Sequence, residues 1–150
     1  MIQIATTNEQ SKKLLDLGLN PETADLKRIR RSDIIMSIDY NDSQCDDSDY
    51  NIAWSLSKLI SLIPERCCID YEDIFQEKKS YRAYLTIEGN SVFYRNNEFY
   101  PLLQFIYSLD LFDNLINCIK YLVENNLFNK EYLKIEDQPP LPEGRGLLNE

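Results

Sequence analysis

The clearest pattern in this chain is helical. Leu111, Leu115, Ile119 and Leu122 form one apolar row, and Phe112, Ile116, Ile119 and Val123 form the next, at spacings of three and four. This predicts an amphipathic helix over about 110–126, capped by Ser108 or Asp110 and ended by Asn125-Asn126. A second stripe, Ile52, Leu56, Leu59, Ile60 and Ile63, predicts a helix over about 55–63. Ser55 is its N-cap, and Pro64, which lacks an amide hydrogen, is its stop. Trp54, the only tryptophan, then stands just before the cap, with Leu59 at the fourth helical position. That pairing is a hydrophobic staple and argues for a core residue, although a lone tryptophan is also a candidate binding anchor. A third helix, about 8–17, follows two overlapping capping boxes, Thr6 with Glu9 and Thr7 with Gln10. It should bury Leu14, Leu15 and Leu17 and stop at Gly18. Asn20-Pro21-Glu22 opens a further helical turn ending near Leu26.

Alternation marks the strands. Tyr81–Glu88 and Ser91–Arg95 flank Gly89-Asn90, a two-residue loop with Gly where a type II′ turn needs it. The resulting register pairs Ile87 with Val92 and Leu85 with Tyr94 on one face, and Thr86 with Phe93 and Tyr84 with Arg95 on the other. A turn at Asn96-Asn97 leads to a third strand, Phe99–Tyr107, in which Pro101 requires an edge position or a bulge. Asp33–Tyr40 predicts another strand, with Ile34, Met36 and Ile38 on one face and Ile35 on the other, so that its start is covered on both sides. Residues 65–80 are ambiguous. Cys68, Asp70, Glu72 and Ile74 alternate with Ile69, Tyr71, Asp73 and Phe75 as a strand would, and Gln76–Ser80 reads as a turn.

The expected fold class is α+β. A mostly antiparallel sheet of three to four strands (a meander over about 81–107 plus the strand over about 33–40) is packed by helices over about 8–17, 55–63 and 110–126. With 150 residues, one domain is expected over 1–134, followed by a flexible tail over 135–150 with Pro139-Pro140-Leu141-Pro142. Pro-x-x-Pro ligands for aromatic grooves resemble that tail.

Charge narrows the function classes. The net charge of −9 argues against direct, sequence-independent nucleic-acid binding and against anionic membranes. No apolar run approaches the length of a membrane span, and residues 1–20 lack the blocks of a signal peptide, so the expected setting is cytoplasmic. From Ser32 to Ser57 there is no Lys or Arg, while Asp33, Asp39, Asp42, Asp46, Asp47 and Asp49 accumulate after the basic cluster Lys27, Arg28, Arg30 and Arg31. Such a stretch is either a solvated loop or a patch that steers a basic partner.

The residues for most catalytic chemistry are missing. Without histidine there is no Ser-His or Cys-His pair, and none of the four glycines sits in a phosphate-cradling loop. Cys45, Cys67, Cys68 and Cys118 lack Cys-x-x-Cys spacing and read as reduced, mostly buried small apolar residues. Asp39, Asn41, Ser43, Cys45 and Asp47 mimic the odd positions of a calcium loop, but Gln44 and Tyr50 stand where glycine and glutamate are needed. No metal or cofactor is therefore expected. Asp70, Asp73, Glu77 and Lys79 supply the residue types of a divalent-metal nuclease, which would need them in one cleft. The hairpin register gathers Arg82, Tyr84, Phe93 and Arg95 on one sheet face. Such a face can anchor a protein partner, stack bases, or lie beneath another helix.

Several blocks resemble a known group. They are Ala5–Ser11, Leu14–Asp25, Trp54-Ser55-Leu56-Ser57 with Leu59, Leu62 and Pro64, and Tyr121–Asn125. They look like short uncharacterised proteins encoded in phages and mobile elements of Bacteroides-type gut bacteria. Residues 27–51 and those after Lys130 depart from that pattern. The resemblance implies a bacterial cytoplasmic setting and an accessory role, and transfers no catalytic residue. The leading expectation is a non-enzymatic protein that acts by binding another protein, through Arg82, Tyr84, Phe93 and Arg95 or through Asp42, Asp46, Asp47 and Asp49. The nuclease-like hydrolase and an acidic mimic of DNA, built on the 39–49 aspartates, are the alternatives. Nothing in the sequence sets the partner or the oligomeric state.

Overall fold

The computed structural model describes residues 3–30, 34–38, 50–72, 75–76 and 78–134. The chain is α+β, with two antiparallel sheets rather than one. In order, the elements are α1 (Asn8–Asp16), β1 (Leu26–Ile29), β2 (Ile35–Ser37), β3 (Tyr50–Ala53), α2 (Leu56–Leu62), β4 (Arg66–Glu72), β5 (Lys78–Glu88), β6 (Ser91–Arg95), β7 (Pro101–Phe105) and α3 (Leu111–Glu124). Short 3-10 turns lie at Pro21–Thr23 and Lys130–Tyr132.

The larger sheet runs β4-β5-β6-β7. The β5–β6 register pairs Tyr84 with Arg95, Leu85 with Tyr94, Thr86 with Phe93 and Ile87 with Val92, as the two-residue turn requires. Gly89 has φ +60, which only glycine adopts cheaply. The ambiguous segment is strand β4, paired residue for residue with β5 from Arg66↔Tyr84 to Glu72↔Lys78. Pro101 opens the edge strand β7, beside a register shift at Tyr94/Arg95, so both devices that tolerate a strand proline are present.

The smaller sheet, β2-β1-β3, corrects the sequence reading in three places. The strand expected over 33–40 does not join the meander. Its described part is β2, paired with β1 as an edge, and Ile34 is 57% exposed instead of covered. The turn expected to reach Leu26 ends at Thr23, and Leu26–Ile29 is extended. Ile52 is not on the α2 stripe but in β3, opposite Lys27. The reason is Lys27 itself: it is buried and its ammonium lies 4.9 Å from the Tyr50 ring centre, so a charged side chain serves as an inward strand position.

The helices end as their caps dictate. Thr7 and Gln10 form the capping box of α1, Ser55 caps α2, and Asp110 caps α3. Thr6, the competing cap, is used elsewhere. At Gly18 (φ +100), Leu19 N–H donates to Leu14 C=O and Gly18 N–H to Leu15 C=O, closing α1 in a Schellman motif. Asn126 (φ 58) plays the same part after α3. Of the leucines expected inside α1, Leu14 is buried, Leu17 is half-buried and Leu15 is exposed.

The core gathers around α3, which touches β6 and β7 and also α1 and α2. Leu115, Ile119 and Leu122 are fully buried in one cluster with Ile69, Ala83, Val92 and Tyr94 from the sheet, Leu14, Leu59 and Leu62 from the other helices, and Trp54 from the segment before α2. Burial of each such side chain contributes about 1.5–3 kcal/mol before entropy is set against it. No helix among the described residues is long and apolar enough to cross a membrane.

Candidate functional site

The large sheet has two unlike faces. Cys67, Ile69, Ala83, Leu85, Ile87, Val92, Tyr94, Leu103 and Phe105 turn towards α3 and the core. The opposite face bears Arg66, Cys68, Asp70, Ser80, Arg82, Glu88 and Gln104, all exposed, with Tyr84, Phe93 and Arg95 half-exposed among them. Tyr84, Phe93 and the adjoining Phe99 take no part in the core. The strand alternation brings all four sheet-face candidates, Arg82, Tyr84, Phe93 and Arg95, onto this one surface, and the hydrophobic core lies on the other.

Arg95 is its centre. Its guanidinium carbon lies 5.3 Å from the Tyr84 ring centre and 4.1 Å from that of Phe99. Nε donates to Thr86 Oγ1 at 3.1 Å and Nη1 to Asn96 C=O at 3.0 Å. The turn that delivers Phe99 is built by Asn96, whose Oδ1 accepts from Glu98 N–H and Tyr100 N–H. Phe99 has φ 65 and is 72% exposed. A non-glycine residue in the left-handed region is uncommon, and here it sets the ring beside Arg95. Arg66 lies across β4–β5 from Tyr84, so Arg66, Tyr84 and Arg95 form one cross-strand row, with Arg82 opposite Cys68 in the next.

Arg66 and Phe99 escaped the sequence reading. The signal for Arg66 was the alternation of Cys68, Asp70 and Glu72, which extends back to it. Phe99 had no signal, because its placement depends on the Asn96 turn.

The two described nuclease-like candidates do not share a face. Asp70 shares the open face with Ser80, whereas Lys79 pairs with Tyr71 on the opposite face of the β4–β5 hairpin. Asp73 and Glu77 lie outside the described residues, as do Asp39, Asp42, Asp46, Asp47 and Asp49 with the calcium-like loop, Cys45, and the tail over 135–150. Among the described residues no three of His, Cys, Asp and Glu stand as a metal-binding group. The cysteines, expected to be mostly buried, divide: Cys118 is buried, Cys67 is intermediate and Cys68 is exposed on the open face.

Cys67 and Cys118 meet the Tyr94 hydroxyl, which donates to Pro64 C=O at 2.7 Å. Burial pushes the Tyr94 phenol and the Cys118 thiol far up, and the two thiols add to the effect on the phenol. Burial also raises the Cys67 thiol, against a hydrogen bond with Tyr94 that lowers it. These groups are protonated and inert at neutral pH.

Trp54 is not a surface anchor. It is fully buried, its indole N–H donates to Thr23 Oγ1 at 2.9 Å, and its backbone N–H donates to Thr6 Oγ1 at 3.0 Å. Ser55 N–H and Oγ donate to the two carboxylate oxygens of Asp25, at 2.8 and 2.5 Å. Thr6, Thr23, Asp25, Trp54 and Ser55 belong to the blocks that carried the resemblance, and their convergence gives those blocks a structural role.

Two open grooves are also formed by described residues. One of about 480 Å3 runs between α1 and β3 beside Lys12 and Tyr50, and one of about 250 Å3 lies beside Tyr107 and Asp113. Compared with protein-family models, curated proteins and solved structures, the chain matches none of them.

Proposed function

We propose that this protein is a non-catalytic accessory protein that acts by docking another protein on the open face of its four-stranded sheet. The resemblance noted above suggests a phage or mobile element as its genetic setting and the bacterial cytoplasm as its compartment. The observation that carries the reading is Arg95, held between Tyr84 and Phe99 on a sheet face remote from the core. Tyr and Arg dominate the energetics of protein interfaces, because both offer large contact area with directional polar groups. An ordered side chain also loses less entropy on binding than a free one, at about 0.5–1.5 kcal/mol per immobilised side chain. Folding has already immobilised Arg95.

The test is site-specific photo-crosslinking in cells. A photoreactive residue at Arg82, on the open face, is compared with one at Lys120, exposed on α3. A discrete adduct from position 82, absent from position 120 and lost in Tyr84→Ala, supports docking at this face. Equal labelling from both positions, or an adduct indifferent to Tyr84→Ala, refutes it.

A further inference from the structure

We infer that the docked partner presents an acidic, extended segment that crosses the strands, with carboxylates taken by Arg66, Arg82 and Arg95. This rests on the docking face proposed above and specifies its ligand. The chain has 25 acidic residues against 16 basic ones, yet three arginines stand together on this face. None forms an ion pair with a described residue, and Arg66 and Arg82 make no side-chain hydrogen bond to one either. In so acidic a chain, surface arginines without carboxylate partners among the described residues leave their charge for something else. Arg66 and Arg82 each present a planar fork that fits a carboxylate through two parallel bonds. Nε and Nη1 of Arg95 are engaged by Thr86 and Asn96, which leaves the Nη2 donors without a partner among the described residues.

The register sets the segment's direction. Arg66 and Arg95 flank Tyr84 from neighbouring strands, so their backbones stand roughly 10 Å apart across the strands. Asp70 and Glu88 lie on the same face towards its two ends along β5. An acidic segment laid along β5 meets both carboxylates, while one laid across the strands follows the row Arg66, Tyr84 and Arg95, which holds none. An extended chain repeats its side chains on one face about every 6.6 Å, shorter than the roughly 10 Å between the two arginine backbones, and the long arginine side chains span the difference.

A nucleic-acid strand fits the same charges less well. The Tyr84 and Phe99 rings already carry the Arg95 guanidinium, so they are not free platforms for bases. A run of phosphates also extends past the patch over a chain of net charge −9, whereas a few carboxylates end where the arginines do.

Fluorescence anisotropy with the full chain tests this, using three labelled probes: a short peptide of alternating Glu and Thr, the same peptide with Gln for Glu, and a short single-stranded oligonucleotide. The Glu peptide should bind about tenfold or more tighter than the Gln peptide, roughly 1.4 kcal/mol. That binding should fall with added salt and disappear in Arg66→Glu/Arg82→Glu. If that variant does not fold, Arg66→Gln/Arg82→Gln replaces it, with a loss of tenfold expected. Equal affinity for the two peptides, or tighter binding of the oligonucleotide, overturns the inference. If no peptide binds while crosslinking from position 82 still yields its Tyr84-dependent adduct, the acidic chemistry fails and the docking face stands. If that adduct is absent too, both fail.

Discussion

The indole N–H of Trp54 donates to Thr23 Oγ1 across a separation of 31 residues. This bond places the residue before the α2 cap against the 3-10 turn that precedes β1. With Trp54 and Leu59 both fully buried, the staple deduced from the cap becomes part of the core. Trp54→Ala is expected to cost about 3–5 kcal/mol, the range for truncating a large buried aromatic. Thr23→Val keeps the shape and orphans the indole donor, at about 1–3 kcal/mol. Urea denaturation followed by circular dichroism measures both.

Asn114 is fully buried on α3 and joins two loops. Its Nδ2 donates to Asn90 C=O at 2.6 Å and Ser108 C=O at 2.9 Å, and its Oδ1 accepts from Ser108 N–H. Asn114→Leu should lose about 1–3 kcal/mol, because these backbone groups are left without their partner. The exposed pair Tyr107 and Leu109 should become more mobile in the same variant. Amide hydrogen exchange at 106–110 reads that change.

Alkaline pH should unfold the protein in a defined window. Ordinary Cys and Tyr groups titrate at 9.0 and 10.0, and the folded chain raises Cys67, Cys118 and Tyr94 above these values. Below pH 9 both folded and unfolded states hold these protons, so the contribution to stability is complete. Above it the unfolded state releases protons that the folded state keeps, and stability falls by at most about 1.4 kcal/mol per pH unit for each group. Denaturation midpoints should be flat from pH 7 to 8.5 and decline beyond. Cys118→Ala should make that decline shallower, apart from its own cost at neutral pH.

The open face should be thermodynamically quiet. Arg82→Glu changes an exposed residue outside the core, and its effect on stability is expected within about 0.5 kcal/mol. Tyr84→Ala removes one partner of Arg95 and should cost about 0.5–1 kcal/mol, the value of an exposed cation–π contact. Melting curves of these variants separate loss of binding from loss of fold.

Thiol accessibility should follow burial. In a Cys45→Ser background, Cys68 should react with a disulfide reagent within seconds and Cys118 only after denaturation. Rapid reaction of Cys118 in the folded state would contradict its placement.

Much of this fold was legible because the relevant signals are local. The Gly89-Asn90 turn determined the β5–β6 register to the residue, and Pro101 announced an edge. Ser55 and Asp110 announced their helices. The smaller sheet was hidden because its strands are short and carry charge where a core position was needed. Lys27 reads as a surface residue until Tyr50, 23 positions later, supplies a ring for it. Ile52 fell on a helical stripe by coincidence of spacing. Arg82, Tyr84, Phe93 and Arg95 of the candidate surface followed from alternation alone. Arg66 needed β4 to be recognised as a strand, and Phe99 needed a backbone angle that no side chain advertises.

The two sheets also differ in how far the chain must travel to close them. Strands β4 to β7 pair only with sequence neighbours, through short reversals. The smaller sheet must wait for Leu26 to find Ala53, and for Thr6 to meet Trp54. Bringing distant segments together costs loop entropy before any contact repays it, so the meander has the lower barrier to formation. On that account the larger sheet is assembled early in folding, and the block-bearing N-terminal half joins the core last. Pulse-labelled hydrogen exchange during refolding should show amides of 81–95 protected before those of 26–29 and 50–53.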